Sequence, residues 1–247
     1  LWFTAGVVGV AFVLAQSRGA LLAFVVAVAF IGLYRFGKAF LAVLLMGLVA
    51  SVIVPNPLQQ RILTVGAQDP YAFTRLDIWK NSIQRIADRP WGVGLGLYKY
   101  TSFRYRFPIE GSIARYGKRA ESAHNEYLQM AVELGVMGLA IFVAGIGLVG
   151  WKIRETLNLA LEPWERSVVI GLTGGMLGIL AHGMVDSAFH EPALVLLLCT
   201  FTGLILVLHR TRASDSTAVL EVPFPYHPAR VVLVVVFATV LSLLVIR

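Results

Sequence analysis

The sequence predicts an all-α fold: a polytopic transmembrane helical bundle of about seven membrane helices, with a long, partly helical extracytoplasmic loop. Of its 247 residues, 57% are apolar and 14% are charged, whereas about 25% are charged in a typical globular chain. The mean hydropathy is +0.75, and the apolar runs approach the ~20 residues that a membrane-spanning helix needs. These observations exclude an ordinary soluble domain, a collagen and a disordered chain.

Seven apolar runs mark the predicted membrane helices. They cover residues 1–15, 20–34, 39–54, 127–151, 168–185, 193–208 and 231–246. We divide the chain accordingly into residues 1–54 with membrane helices 1–3, residues 55–126 as the loop, and residues 127–247 with membrane helices 4–7. Glycines recur in the later runs, which suits close helix packing in lipid. Because the chain opens inside an apolar run without Met, we expect further helices upstream.

The basic residues predict the orientation of the bundle. Alternate short connections carry Arg35, Lys38, Lys152, Arg154, Arg166, Arg210, Arg212 and Arg230. Short basic loops lie in the cytoplasm, so residues 55–126 face the other side of the membrane. That loop holds 11 of the 21 basic residues against six acids. A basic surface there favours anionic head groups or a phosphorylated substrate over nucleic acid.

The loop contains a predicted amphipathic helix that begins at Thr74 as its N-cap and ends near Asp88. At 100° per residue its apolar stripe consists of Leu76, Trp79, Ile83 and Ile86. Arg75 lies at the edge of this stripe, whereas Arg85 and Asp88 point away from it. Arg75 could therefore make a bidentate contact with a diphosphate. Alternatively, the helix lies at the interface and Arg75 extends to lipid phosphates.

Three glycines follow at positions 92, 94 and 96. Their spacing departs from the G-x-G-x-x-G dinucleotide fingerprint, and the neighbouring segments predict membrane helices instead of a βαβ unit. We expect a tight turn against the bilayer, with Trp91 and Tyr98 as interfacial anchors.

His124 lies just before the fourth apolar run and is the one histidine of the loop. A neutral imidazole at this interface could take a proton from a hydroxyl group. Glu121, Asn125 or Glu126 could orient the ring. The alternative is a structural histidine at the start of a helix.

Two further groups of ionisable residues lie outside the loop. His182, Asp186 and His190 have i, i+4, i+8 spacing, which is compatible with a metal site on one helix face. Because Pro192 interrupts that helix, we predict no metal and an interfacial turn that lines the mouth of a site. Glu133 is an intramembrane acid, which marks a functional residue or the partner of a loop arginine.

Several strings of this sequence resemble the O-antigen ligase and O-antigen polymerase superfamily. They are TRLDIW at 74–79, RPWGVGLG at 89–96, AHNEYLQ at 123–129, ELG at 133–135 and SRGA at 17–20. The resemblance covers about residues 14–208. It implies a multi-pass glycosyltransferase of the bacterial inner membrane with its active face in the periplasm. Such enzymes use undecaprenyl-diphosphate-linked glycans and need no metal, nucleotide or other cofactor.

The resemblance also implies roles for individual residues. Arg18 and Arg75 would hold the diphosphate, and His124 would be the general base. We expect the acceptor to be lipid A-core or another glycan, with membrane lipids around the bundle and no nucleic acid partner. Additional substrate contacts are predicted for Asn125, Glu126, Arg104, Arg106 and Arg119.

The same sequence features are compatible with other functions. An O-antigen polymerase or a protein O-oligosaccharyltransferase of the same superfamily would share the same motifs. An anion transporter would carry ionisable residues or broken helices near the bilayer midplane, where Glu133 is the sole candidate. A membrane scaffold without catalysis would not require the arginine and histidine strings.

Overall fold

The computed structural model describes residues 17–53, 70–102 and 120–213, and these ranges are helical with connecting turns. The helices are α1 (Arg18–Phe36), α2 (Lys38–Ile53), α3 (Pro70–Asp88), α4 (Tyr98–Thr101), α5 (Glu126–Asn158), α6 (Pro163–His182) and α7 (Pro192–Ala213). A short 3-10 helix, Ala188–His190, precedes α7. The predicted all-α fold is confirmed. The runs at 1–15 and 231–246 lie outside the described residues, as do Arg104, Arg106 and Arg119.

Three of the described helices are long and apolar enough to cross a membrane: Gly19–Phe36, Glu126–Asn158 and Pro192–Ala213. The five central apolar runs coincide with α1, α2, α5, α6 and α7, within a few residues at most ends. The total of about seven membrane helices stays a prediction, because two of the runs are not described. The loop between α2 and α5 is partly helical, as predicted, since it contains α3 and α4.

Helices α1 and α6 pack closely through small residues on α6. A Cβ added to Gly174 would lie 2.8 Å from Ile31, and one added to Gly178 would lie 3.1 Å from the carbonyl oxygen of Ala23. Both glycines thus allow the close approach that the sequence predicts. On α5, a Cβ added to Gly145, Gly147 or Gly150 would meet no atom of the described residues within 4 Å, so close packing at these three glycines stays a prediction.

Helix α5 is interrupted near its start by Gly135, whose φ of +74° lies in the left-handed region. The loop after α3 docks at this interruption. Val136 N donates to Pro90 O (2.9 Å), and Val93 N donates to Val132 O (2.9 Å). A Cβ on Gly135 would lie 2.5 Å from Pro90 O, so a glycine is required where the two backbones meet.

Helix α3 begins at Pro70, four residues before the predicted start at Thr74, and ends at Asp88 as predicted. The earlier start has a simple cause: proline favours the first helical position, where its missing N–H is not needed. Thr74 is therefore inside the helix and is not its cap.

The face of α3 that is buried differs from the predicted face. Its fully buried residues are Ile78, Ser82 and Arg85, whereas Leu76 and Ile83 of the predicted stripe are 52% and 58% exposed. Arg85, predicted to point away, is 2% exposed. Contacts of Ser82 and Arg85 with Tyr98 on α4 determine which face of α3 is buried.

Two contacts bind Tyr98 to the buried face of α3. Its hydroxyl lies 2.7 Å from Ser82 Oγ, and the Arg85 guanidinium lies 4.6 Å from its ring centroid. Tyr98 is 1% exposed, so its prediction as an interfacial anchor is wrong. Trp91 is 82% exposed and is compatible with that role. Burial is the main cause that raises the pKa of the Tyr98 hydroxyl.

Candidate active site

His124 is held on both sides by contacts of its neighbours. The carbonyl oxygen of Ala123 accepts a hydrogen bond from Trp79 Nε1 (3.0 Å) on α3. Asn125 caps α5 by accepting from Leu128 N (3.0 Å), and its amide donates to Met184 O (2.8 Å). His124 itself adopts a positive φ of 45°, which is uncommon outside glycine. The backbone thus presents the imidazole from a constrained turn.

Asp186 is the acid that faces this imidazole. Its Oδ1 lies 3.5 Å from His124 Nδ1, at the long limit of hydrogen-bond distances. The two side chains are 42% and 41% exposed, so the pair is open to solvent. With Nδ1 towards the carboxylate, Nε2 is the nitrogen that can accept a proton.

Several groups around Asp186 keep it ionised. Burial by itself raises its pKa, but the backbone N–H of Ser187, the hydrogen bond with His124 and the charge of Arg75 together outweigh burial. The pKa of Asp186 consequently lies below its ordinary value. Asp186 is therefore a carboxylate at neutral pH and can stabilise an imidazolium beside it.

Arg75 joins α3 to the same turn. Its Nη1 donates to the carbonyl oxygen of Val185 (3.1 Å), the residue before Asp186. Arg75 lies on the packed side of α3, next to the buried Ile78. Because a guanidinium has five N–H donors and one is used here, Arg75 retains donors for an anionic ligand.

The start of α1 meets this turn through His182, the last residue of α6. His182 Nε2 lies 3.9 Å from Asp186 Oδ2, and a Cβ added to Gly19 would lie 2.8 Å from the His182 ring. Ser17 caps α1 by accepting from Ala20 N (3.2 Å). The backbone of Arg18 is thus at the same end of the bundle as His124, while its side chain lies outside the described residues.

Glu126 and His190 form a second acid–histidine pair next to the His124 turn. Glu126 is 5% exposed, and its Oε1 accepts from Phe189 N (2.7 Å) and pairs with His190 Nδ1 (3.0 Å). The hydrogen bond with Glu126 is the main cause that raises the pKa of His190. This pair fixes the end of the α6–α7 connection to the start of α5.

Gln129 links this pair to His124 and to Glu133. Its Oε1 accepts from Ala123 N (3.0 Å), and its Nε2 donates to Glu133 Oε1 (3.3 Å) and lies 3.0 Å from His190 Nε2. Since Ala123 N can only donate, the amide oxygen of Gln129 faces it and the amide orientation is determined. Neutral His190 must then carry its proton on Nδ1.

Among the described residues, the partners of Glu133 are backbone N–H groups and Gln129, and its pairing with a loop arginine stays a prediction. It accepts from Gly96 N (2.9 Å) and Tyr98 N (3.2 Å) in addition to Gln129, and it is 7% exposed. Its carboxylate therefore fastens the glycine-containing turn onto α5.

The described structure brings His124, Arg75 and the backbone of Arg18 to one end of the bundle. Asn125 and Glu126 hold the α6–α7 connection, so their predicted substrate contacts stay predictions.

Asp186 and Gln129 were not predicted as partners of the His124 turn. Only the i, i+4 spacing of His182 and Asp186 pointed to this region. Within residues 17–53, 70–102 and 120–213, no three His, Cys, Asp or Glu side chains group as a metal site requires.

Comparison with known proteins agrees with the motifs. The family model described as O-antigen ligase matches residues 3–143. A "Putative polysaccharide ligase" of Rickettsia bellii (strain RML369-C) is 31% identical over 125 residues, which are 50% of this chain and 29% of the relative. A protein of Rickettsia conorii (strain ATCC VR-613 / Malish 7) with the same description is 31% identical over 117 residues, 47% of this chain and 27% of the relative.

These alignments cover less than a third of the length of each relative. The family model, in contrast, matches more than half of this chain and includes the SRGA, TRLDIW and AHNEYLQ strings. The chain therefore belongs to the O-antigen ligase family.

Proposed function

We propose that the protein is a metal-independent glycosyltransferase of the O-antigen ligase type. It moves a glycan from undecaprenyl diphosphate to a hydroxyl group of an acceptor, most simply lipid A-core. Transfer takes place on the periplasmic face of the inner membrane. The observation that carries this proposal is the 3.5 Å approach of Asp186 Oδ1 to His124 Nδ1, next to a turn that Arg75 also contacts.

His124 serves as the general base of this reaction. Its Nε2 takes the proton of the acceptor hydroxyl while the oxygen attacks the anomeric carbon of the donor sugar. The bond from that carbon to the diphosphate oxygen breaks, and undecaprenyl diphosphate leaves with the electron pair. General-base catalysis of this kind is typically worth about 10²–10⁴-fold in rate.

Asp186 and Arg75 act on the two charges that develop. The carboxylate of Asp186 stabilises the imidazolium that forms on His124. The guanidinium of Arg75, joined by Arg18 at the start of α1, binds the diphosphate and stabilises its increasing negative charge. Separate groups for the base and for the leaving group are what such a transfer needs, since the diphosphate departs without protonation.

The family membership and the printed description of the two relatives, polysaccharide ligase, support this proposal at the level of reaction class. The proposed acceptor and glycan rest on the resemblance of the motifs, and the proposed residue roles rest on the motifs together with the site geometry. The positive φ of His124 and the four hydrogen bonds of its neighbours support a pre-organised base.

The test is the pair of substitutions His124→Ala and Arg75→Ala in the full-length gene, followed by gel analysis of surface polysaccharide. Each variant should insert at the normal level and lose glycan transfer to lipid A-core. His209→Ala is the matched control, because His209 is at the other end of the bundle, 3.7 Å from Glu155. Normal polysaccharide display with a stably inserted His124→Ala protein would refute the proposal.

The pattern of the defect separates the related activities. Loss of all O-antigen from the core identifies a ligase, whereas a core with a single repeat identifies a polymerase. Loss of glycan from secreted proteins with normal lipopolysaccharide would identify protein O-glycosylation.

A further inference from the structure

A cavity of about 600 Å³ runs along the bundle between α1, α5, α6 and α7. On α5 its lining is a helical stripe that begins at Phe142 and ends at Asn158. Those residues are 16 positions apart, so the cavity extends over roughly 24 Å at 1.5 Å per residue. It leads from beneath the His124 site to the opposite end of the bundle, which we call the Arg154 end after the cation that lines it.

The lining is apolar over most of this length. The two threonines in its middle, Thr173 and Thr202, donate their hydroxyls to the carbonyl oxygens of their own helices at Val169 (2.7 Å) and Leu198 (2.8 Å). Their hydroxyl hydrogens are therefore not available to a ligand. The polar lining residues gather at the Arg154 end, where Tyr34, Arg154 and Asn158 lie.

Arg154 supplies a positive charge at this end. No described residue makes an ion pair or hydrogen bond with its exposed side chain, whereas its neighbour Lys152 pairs with Glu155 at 2.6 Å. Arg212, the basic residue at the end of α7, is likewise paired, with Glu165 at 2.6 Å. Arg166 also reaches this end, where its Nη1 donates to Tyr34 Oη at 3.2 Å, but Arg154 is the cation that lines the cavity.

The cavity is long relative to its volume. About 600 Å³ extends over roughly 24 Å of the bundle. Glycines widen the α5 wall, since a Cβ added to Gly145 or Gly150 would meet nothing within 4 Å. An alkyl chain fits this elongated apolar space along its length.

Aromatic rings cluster at the other end of the cavity, where Phe142 lines it. Phe142 packs against Phe189 with ring centroids 5.6 Å apart, and against Tyr127 at 6.1 Å. A ligand in the cavity therefore has its apolar part towards the His124 site and its polar part at the Arg154 end. This polarity is opposite to that of the glycan donor, whose diphosphate would lie at the His124 site.

We propose that the cavity binds an acyl chain of an anionic phospholipid, with the phosphate at Arg154. Basic pockets between membrane helices commonly bind acidic head groups in this way. Phosphatidylglycerol has the required chemistry: one negative phosphate, hydroxyls that can bond Asn158 and Tyr34, and alkyl chains long enough for the channel. This inference is independent of the proposed glycosyl transfer.

The test measures phosphatidylglycerol binding to the purified full-length protein in phosphatidylcholine nanodiscs. A fluorescent phosphatidylglycerol is titrated, and the lipid that remains bound is counted by native mass spectrometry. Arg154→Gln should weaken binding by about tenfold or more, the scale of one charge-assisted hydrogen bond, and Arg154→Lys should restore part of it. Arg210→Gln is the control, because Arg210 is exposed on α7 and does not line the cavity.

A second pair of variants tests the channel itself. Gly150→Leu fills it and should abolish retention of the lipid, whereas Gly147→Leu, on a part of α5 that does not line the cavity, should leave retention unchanged. Both changes add helix propensity, and the Cβ of either leucine would meet no atom of the described residues within 4 Å, so we expect both proteins to fold. Thermal unfolding of each variant checks this.

Three outcomes would overturn the proposal. Equal affinity for phosphatidylcholine and phosphatidylglycerol would remove the role of the head group. Equal effects of Arg154→Gln and Arg210→Gln would remove the role of Arg154. Finally, in a Cys199→Ser background, a cross-link from Gly150→Cys to residues 231–246 or to a second copy of the chain would identify another occupant.

Discussion

Oδ1 of Asp186 lies 3.5 Å from Nδ1 of His124, although 62 residues separate the two in the chain. The contact joins the turn before α5 to the connection after α6. Arg75 approaches the same connection from α3 by donating to Val185 O at 3.1 Å. Three segments that are distant in sequence therefore meet at one candidate site.

Asp186→Asn should reduce glycan transfer and leave the protein folded. The amide retains the size of the carboxylate but loses the charge that stabilises an imidazolium on His124. Because the contact is long and half-exposed, we expect the maximal rate to fall by up to about 10²-fold, with little change in the KM for the donor. Turnover of lipid-linked glycan in proteoliposomes measures both quantities. Glu191→Gln, an exposed acid of the same connection, should have almost no effect.

Arg75→Lys should fail to rescue Arg75→Ala. Lysine keeps the charge but cannot make the planar two-point contact with a phosphate that a guanidinium makes. The main effect should be a higher KM for the donor, in contrast to the rate effect of Asp186→Asn. Arg89→Lys, at an exposed position just after α3, is the control. Full activity of Arg75→Lys would mean that only a positive charge is needed.

His190 should make the stability of the protein dependent on pH. The Gln129 amide nitrogen, 3.0 Å from His190 Nε2, opposes protonation there, but the hydrogen bond with Glu126 is the main cause of a pKa that is raised in the folded state. The stabilising contribution is therefore complete below the ordinary histidine pKa of about 6.5 and is lost as pH rises through the higher folded value. His190→Gln should flatten the dependence of the thermal midpoint on pH in this window. His209→Gln should retain it, and an unchanged slope in His190→Gln would contradict the assignment.

Gly135→Ala should destabilise the junction between α5 and the 90–98 turn. The new Cβ would lie 2.5 Å from Pro90 O, at a φ of +74° that alanine adopts poorly. A cost of about 1–3 kcal/mol follows from the strain alone. Gly171→Ala is the matched control: it lies within α6 with nothing within 4 Å, and it should be neutral or stabilising by up to ~1 kcal/mol. Denaturant unfolding of both variants in detergent measures the difference.

The success and failure of the α3 prediction have a common cause. The periodicity of apolar residues predicts a helix that ends at Asp88, because periodicity is a local property of the chain. It does not predict which face is buried: Ser82 and Arg85 are inside because Tyr98 presents a hydroxyl and a ring to them. Leu76 and Ile83 stay exposed although both are apolar. A polar contact between two elements has no signature in the hydropathy of either.

Composition and hydropathy by themselves determined that this is a helical membrane protein, and the arginine and histidine strings determined the family and two residues of the candidate site. Only the tertiary structure decided that Asp186 faces His124, that Glu126 holds His190, and that Glu133 fastens a glycine-containing turn. The physical reason is the distance along the chain over which each interaction acts. Apolar burial and helix formation depend on neighbouring residues, whereas the partner of a buried or half-buried charge is chosen by how distant helices pack.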